Sequence, residues 1–214
     1  MNWAWDHRSM LAGEFGEHAF LALLPLAIGL LIALPLGAFI ARSAWSRPTV
    51  LSVCAGVQAV PALSWFAVLP GVFSTRLDAS VNVIVGLTLL ATAMLTRAVC
   101  LAVREVPVEL SRTAEAVGFG PVSRAARIEL PLAGPAIIAG LRNTAVACIG
   151  LVTLAALVGV GGLGSVLTEG FVRDSEAEVL VGVALVVVFA VGLEALLSRV
   201  QQKFLPWSRL APVR

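Results

Sequence analysis

Between Leu21 and Ala41 the chain runs without a single charged side chain, and no other feature restricts its fold as tightly. Roughly 20 apolar residues in an α-helix cover about 30 Å of hydrocarbon. Lipid offers backbone N–H and C=O groups no partners, so a segment that enters it must satisfy them internally, as a helix does. That run belongs to a first apolar stretch from about residue 17 to 41. Four more follow at about 49–73, about 80–102, from Pro131 to about Val160, and about Val179 to Leu197. Of 214 residues, 59% are hydrophobic and 13% charged, whereas a soluble domain is about 25% charged. The expected fold is therefore all-α and integral to the membrane, with about five transmembrane helices.

Charge fixes the expected orientation. With five crossings, one side collects Arg42, Arg47, Arg97, Arg104, Arg112, Arg124, Arg127, Arg199, Lys203, Arg209 and Arg214, while the other collects Arg8, Arg76 and Arg173. The positive-inside rule places the richer side in the cytoplasm, giving an outer N-terminus and an inner C-terminus. The expected organisation is an external interfacial segment 1–16, a transmembrane unit 17–205 and a cytoplasmic tail 206–214. Trp3 and Trp5 beside charges suit the headgroup level, and the first span serves as the insertion signal. A net charge of +2 gives no ground for nucleic acid. Cys54, Cys100 and Cys148 lie inside apolar runs without CxxC spacing, as packed thiols would.

Pro25, Pro35, Gly37, Pro61, Gly140 and Gly150 interrupt the spans, either as packing kinks or as gating points. Small residues Ala136, Gly140, Thr144 and Cys148 recur every fourth position, which suits close helix contact. Arg97, Arg142 and Glu194 fall at membrane depth, where ionisable groups are functional candidates. Arg97 can snorkel to the interface, and Arg142 can pair with Glu194.

The segment 106–131, VPVELSRTAEAVGFGPVSRAARIELP, is too polar to span yet patterned. Leu110, Ala114 and Val117 form an apolar stripe on a short helix, which Gly118 ends. Gly120 continues the turn, and Pro121 starts a second helix that carries Arg124 and Arg127 and stops before Pro131. A connector could be shorter, and an apolar stripe facing water asks for a partner.

Gly118, nine residues, then Ile128, one residue, Leu130 and Pro131 resembles the EAA loop of permease subunits in ABC importers. The resemblance implies coupling helices that dock into a cytoplasmic ATPase. The EAA positions themselves hold Arg112, Thr113 and Ala114, so only the last alanine matches. LIALPLGAFIAR, GVQAVPALSWFAVLP, ELPLAGPAIIAGLRNTAV and ALVGVGGLG are similar to the osmoprotectant branch, which imports glycine betaine, choline, carnitine and related quaternary amines. The Gly161, Gly162 and Gly164 element also resembles methionine-importer permeases, which makes an amino-acid importer the alternative.

The resemblance implies a bacterial plasma or inner membrane location and a subunit that is not itself an enzyme. It also implies a second permease chain, identical or related, and an external or periplasmic solute-binding protein facing the 160–178 stretch. No cofactor is expected in this chain; the partner uses ATP, and no GxxxxGK[ST] loop is present here. The candidate pathway residues are Gln58, Pro61, Trp65, Phe66 and Arg142, with the aromatics suited to a quaternary amine by cation–π attraction. An intramembrane enzyme fits poorly, because His7 and His18 form no HExxH and GLGSV is not GxSxG. A secondary transporter would show repeated halves, and none is evident.

Overall fold

A computed structural model describes residues 2–209; Arg214 and the rest of the expected tail beyond 209 lie outside the described residues. The described chain is helical without strands: α1 Asn2–Asp6, α2 Arg8–Ala41, α3 Ser46–Ala59, α4 Ala62–Phe73, α5 Ser80–Glu105, α6 Val108–Ala116 and α7 Pro121–Arg124. A π segment Ala125–Glu129 leads into α8 Leu130–Thr153, followed by a 3₁₀ turn Leu154–Val158, α9 Leu163–Val172, α10 Glu176–Phe204 and a final 3₁₀ turn Pro206–Arg209.

Among the described residues, four helices are long and apolar enough to cross a membrane: Arg8–Ala41, Ser80–Glu105, Pro121–Val158 and Glu176–Phe204. The expected second span is not one straight helix. It is α3 and α4, bent by 97° between Ala59 and Ala62, and they make a fifth crossing only if the bent pair counts as one. The place of the break is set locally, since Pro61 forces the preceding residue out of the helical region and Val60 sits at ψ 125.

The expected boundary between residues 16 and 17 falls inside α2, which begins at Arg8. At 1.5 Å per residue its 34 residues extend roughly 51 Å, longer than the hydrocarbon. The N-terminal turns therefore project beyond it as helix. Arg8 and Glu17 are exposed while Leu11 and His18 are buried.

The bundle is organised around the α2–α5 seam. Gly29, Ala33 and Gly37 stand one turn apart on α2 and let the two backbones meet. A Cβ at Gly29 would lie 2.9 Å from the Ala91 Cβ, and one at Gly37 would lie 2.7 Å from the Val99 Cβ. Such small-residue contact is how helices associate in lipid, where no hydrophobic force drives them together. The predicted stripe on α8 does the same work against α5: a Cβ at Gly140 would come 2.5 Å from the Ala98 Cβ, while Thr144 and Cys148 are buried.

Three apolar layers stack along α2. One gathers Leu21, Phe66, Leu87 and Ile149. The middle layer holds Leu26, Ala33, Leu95 and Cys148. The last joins Ile40, Val99, Val103 and Ile137. The peripheral helix is α10, whose most apolar stretch is only 6% buried; Leu180, Val187 and Val191 face outward.

The 160–178 stretch is largely a packed element. α9 buries Leu163, Val166 and Gly170. Its approach depends on glycine: Gly162 has φ +88, and a Cβ there would stand 3.2 Å from the Cα of His18. A Cβ at Gly161 would meet a carboxylate oxygen of Glu17 at 2.7 Å, and one at Gly164 the carbonyl oxygen of Thr153 at 2.5 Å. All three sequence-predicted glycines therefore serve close packing between α9, α2 and the end of α8.

Candidate functional site

The patterned segment folds as an elbow. α6 ends at Ala116, and Gly118 takes φ +96, a left-handed conformation open to glycine and costly for other residues. The Phe119 N–H donates to the Ala114 carbonyl at 3.0 Å and the Gly118 N–H to the Glu115 carbonyl at 2.9 Å. These two bonds are the Schellman arrangement, and they satisfy carbonyls that a helix end leaves open. Gly120 then precedes Pro121 at the start of α7, where a missing N–H costs nothing.

The second arm does not stop before Pro131, as the sequence led us to expect. It runs through the π segment directly into α8, with the Leu130 N–H reaching the Ala125 carbonyl. Pro131 cannot donate to the helical ladder, and a π turn just ahead of it absorbs the missing bond without breaking the axis. The elbow is thus continuous with a membrane helix, so displacement of α7 is displacement of α8.

Of the predicted stripe, Ala114 is buried, whereas Leu110 is 45% and Val117 74% exposed; Val122 on α7 is 83% exposed. Arg112 and Thr113 are exposed, while Ile128, Leu130 and Pro131 are half-buried where the π segment meets α8. Leu110, Val117 and Val122 are therefore exposed apolar side chains of the elbow, Leu110 lining a groove with Ala102 and Leu132 and Val122 another with Pro35 and Phe39.

Its inner face holds a group that sequence reasoning missed. Glu129, the variable position between Ile128 and Leu130, is 1% exposed. Its Oε1 accepts a hydrogen bond from the Ser111 hydroxyl at 2.7 Å and another from Arg42 Nε at 3.2 Å. Arg124 Nε stands 3.4 Å away as a second cation. Arg42 Nη2 also donates to Ser111 Oγ at 3.1 Å and to the Val103 carbonyl at 3.4 Å. A buried carboxylate needs such partners, since desolvating it alone is prohibitive. A lone glutamate in a polar segment looks solvated, and its partner Arg42 lies 87 residues away.

The candidate pathway residues separate. Gln58 and Pro61 are exposed beside the α3–α4 bend, and Gln58 donates back to the Cys54 carbonyl at 3.1 Å. Trp65 is half-buried, its indole N–H donating to the Val57 carbonyl at 3.3 Å. Phe66 is fully buried against Gly86, where a Cβ would come within 3.1 Å of its ring. It belongs to the core of this chain, and a solute could not reach its face without dismantling that core.

Arg142 and Glu194 do pair. Arg142 Nε donates to Glu194 Oε1 at 2.7 Å, and Nη2 contacts the same oxygen. The pair joins α8 to α10 and lets each charge offset the other at membrane depth. Arg142→Ala should leave Glu194 unpaired and lower the thermal midpoint of the purified chain, while Arg142→Glu with Glu194→Arg should recover most of the loss. Equal midpoints for all three would dismiss the pair as a structural element. Arg97, by contrast, is exposed, as a snorkelling residue would be.

No group of three or more His, Cys, Asp or Glu among the described residues is placed to hold a metal ion. The three cysteines are free and buried. In the turn between α4 and α5, Arg76 grips Asp78 with two bonds of 3.0 Å, which hold the Asp78 carboxyl below its usual range.

Comparison with known proteins agrees with this architecture. The family described as "Binding-protein-dependent transport system inner membrane component" matches residues 33–208. A choline transport system permease protein of Bacillus subtilis (strain 168) is 28% identical over 89% of this chain and 86% of its own length. An osmoprotectant import permease protein of Salmonella typhimurium is 27% identical over 94% of each. A carnitine transport permease protein of Listeria monocytogenes is 29% identical over 92% of this chain and 88% of its own. Among solved structures, an inward-facing form of the MetNI methionine ABC transporter superposes with a TM-score of 0.83. It is 21% identical, and the match covers 91% of this chain and 95% of that one; at that identity the likeness speaks for the fold.

Proposed function

Because the chain belongs to the family of inner membrane components of binding-protein-dependent transport systems, we propose that it is the permease subunit of an ATP-driven importer for quaternary-amine osmoprotectants. Glycine betaine, choline and carnitine are the solutes in view. The observation that carries the reading is the Gly118 elbow: an exposed surface with apolar side chains on two short helices, the second continuous with α8. Such a surface suits the groove of a cytoplasmic ATPase, which supplies the hydrolysis that this chain's sequence is not equipped to perform. The elbow lies on the cytoplasmic side, in keeping with the arginine distribution.

A second permease copy or a related chain completes the pathway. The exposed residues beside the α3–α4 bend, Gln58 and Pro61, and the outward face of α10 are left for it or for lipid. At the opposite end, the exposed side of α9 with Phe171 and Val172 faces the solute-binding protein. Coupling then needs only a two-state bundle whose balance the ATPase shifts; reversing such an equilibrium takes about 5.5 kcal/mol of differential binding.

The test is uptake. Vesicles holding the complex of this chain with its ATPase and binding protein should accumulate labelled choline, glycine betaine or carnitine only when ATP is supplied. Methionine should not compete. ATP-driven methionine uptake with no quaternary-amine transport would instead establish the amino-acid alternative.

A further inference from the structure

Four parts of the chain meet at one carboxylate. Arg42 caps the end of α2, Ser111 sits on the buried side of α6, Arg124 ends α7, and Glu129 closes the π segment that becomes α8. Glu129 Oε1 accepts from Ser111 and Arg42 and lies beside Arg124, while Arg42 extends to the Val103 carbonyl at the end of α5. Arg124 reaches on to Glu115 at 3.2 Å, so the two arms of the elbow are tied to each other as well as to the bundle.

We propose that Glu129 is a positioning residue for coupling: the joint that makes α6, α7, α2 and α8 move together when the elbow is displaced. This deepens the importer reading and rests on it. The reasoning is geometric. α6 is joined to α5 through Val106 and Pro107 and to α7 through the Gly118 turn, each a short stretch of non-helical backbone. Without a side-chain cross-link, a push on α6 would be taken up at these two short connections. Ser111 and Arg42 close that gap by fastening α6 to the ends of two membrane helices and to the root of a third. A buried ionic group adds little net stability but in some proteins fixes one arrangement, and a fixed arrangement is what a lever requires. The departure at the EAA positions fits the same scheme. With Arg112 and Thr113 exposed, α6 carries no acidic side chain there, and its rigid placement depends on contacts made from beneath.

A static staple and a joint predict different outcomes. Glu129→Gln keeps size and an acceptor for Ser111 but removes the charge that holds both arginines. In vesicles containing the assembled complex, labelled choline and glycine betaine uptake and ATP hydrolysis would be measured together, with ATPase co-purification as the check on assembly. We expect uptake per ATP hydrolysed to fall roughly tenfold or more, within the usual range of coupling effects, with hydrolysis and assembly retained; Glu129→Asp should recover part of the ratio. Uptake and hydrolysis falling in proportion, or neither falling, would overturn the proposal. Should Glu129→Gln fail to assemble, Arg42→Lys carries the same two readouts, because it keeps a cation but loses the fork spanning Glu129, Ser111 and Val103; a wild-type ratio there would also overturn it. Wild-type vesicles that transport no quaternary amine would bring down the importer reading itself, an outcome distinct from any of these.

Discussion

Gly118→Val stops ATP-driven uptake, by at least roughly tenfold as expected for loss of a coupling element, while the protein still inserts in the membrane. The expected loss follows from the backbone. Gly118 holds φ +96, and a Cβ there would find nothing within 4 Å, so no neighbour resists the larger side chain. What resists is the chain itself: a β-branched residue in this region is a genuine outlier, at a cost of about 1–3 kcal/mol. The turn relaxes to negative φ, the two Schellman bonds from Gly118 and Phe119 break, and α6 loses its fixed placement relative to α7. Gly120 supplies the control, since its φ is −70 and Gly120→Ala should leave uptake near wild type. Immunoblots of membrane fractions beside vesicle uptake would read both outcomes. Normal transport in the Gly118→Val protein would remove the elbow from the mechanism.

The second large effect concerns the bundle rather than the elbow. Gly37→Leu should lower the thermal midpoint by roughly 2–12 °C, taking overpacking at about 1–3 kcal/mol and about 2–4 °C per kcal/mol for a chain of this size. A Cβ at Gly37 would stand 2.7 Å from the Val99 Cβ and 3.0 Å from the Thr96 carbonyl oxygen. Both belong to α5, so the seam must open along its length. Cys54, Cys100 and Cys148 are buried and free, which gives a direct assay: a fluorogenic maleimide reports their exposure as detergent-solubilised protein is heated. Gly13→Ala on the same helix, with nothing within 4 Å of the added Cβ, should leave the midpoint unchanged. A Gly37→Leu protein as stable as wild type would mean that α2 and α5 do not meet as described.

The spans were legible because lipid imposes one simple rule, and charge-free runs betray it. The elbow was legible for a different reason: glycine at a helix end and proline at a helix start each have few conformational options. What stayed hidden was long-range or shared between elements. Pro61 was visible as an interruption, yet whether it kinks a span or folds it back by 97° depends on what α4 packs against. The π junction before Pro131 could not be told from a helix stop, since both relieve the same missing N–H. Phe66 and Trp65 stand adjacent in sequence, and only packing decides that one is core and the other half-buried. The Gly29, Ala33 and Gly37 repeat has the same spacing as Ala136, Gly140 and Thr144, but it is masked by the apolar residues that surround it on every face of the longest run. Glu129 was beyond reach, because nothing local links it to Arg42.

These features share one dependence, the side of the membrane on which the elbow lies. Val117 is exposed and suits a single reporter, Val117→Cys, probed with a membrane-impermeant maleimide in intact cells and in inside-out vesicles. The native thiols are buried and contribute little background. Labelling confined to inside-out vesicles, and blocked when the ATPase is bound, is the expected result. Labelling in intact cells would put the elbow on the outer face, where no cytoplasmic ATPase could reach it, and would contradict the account.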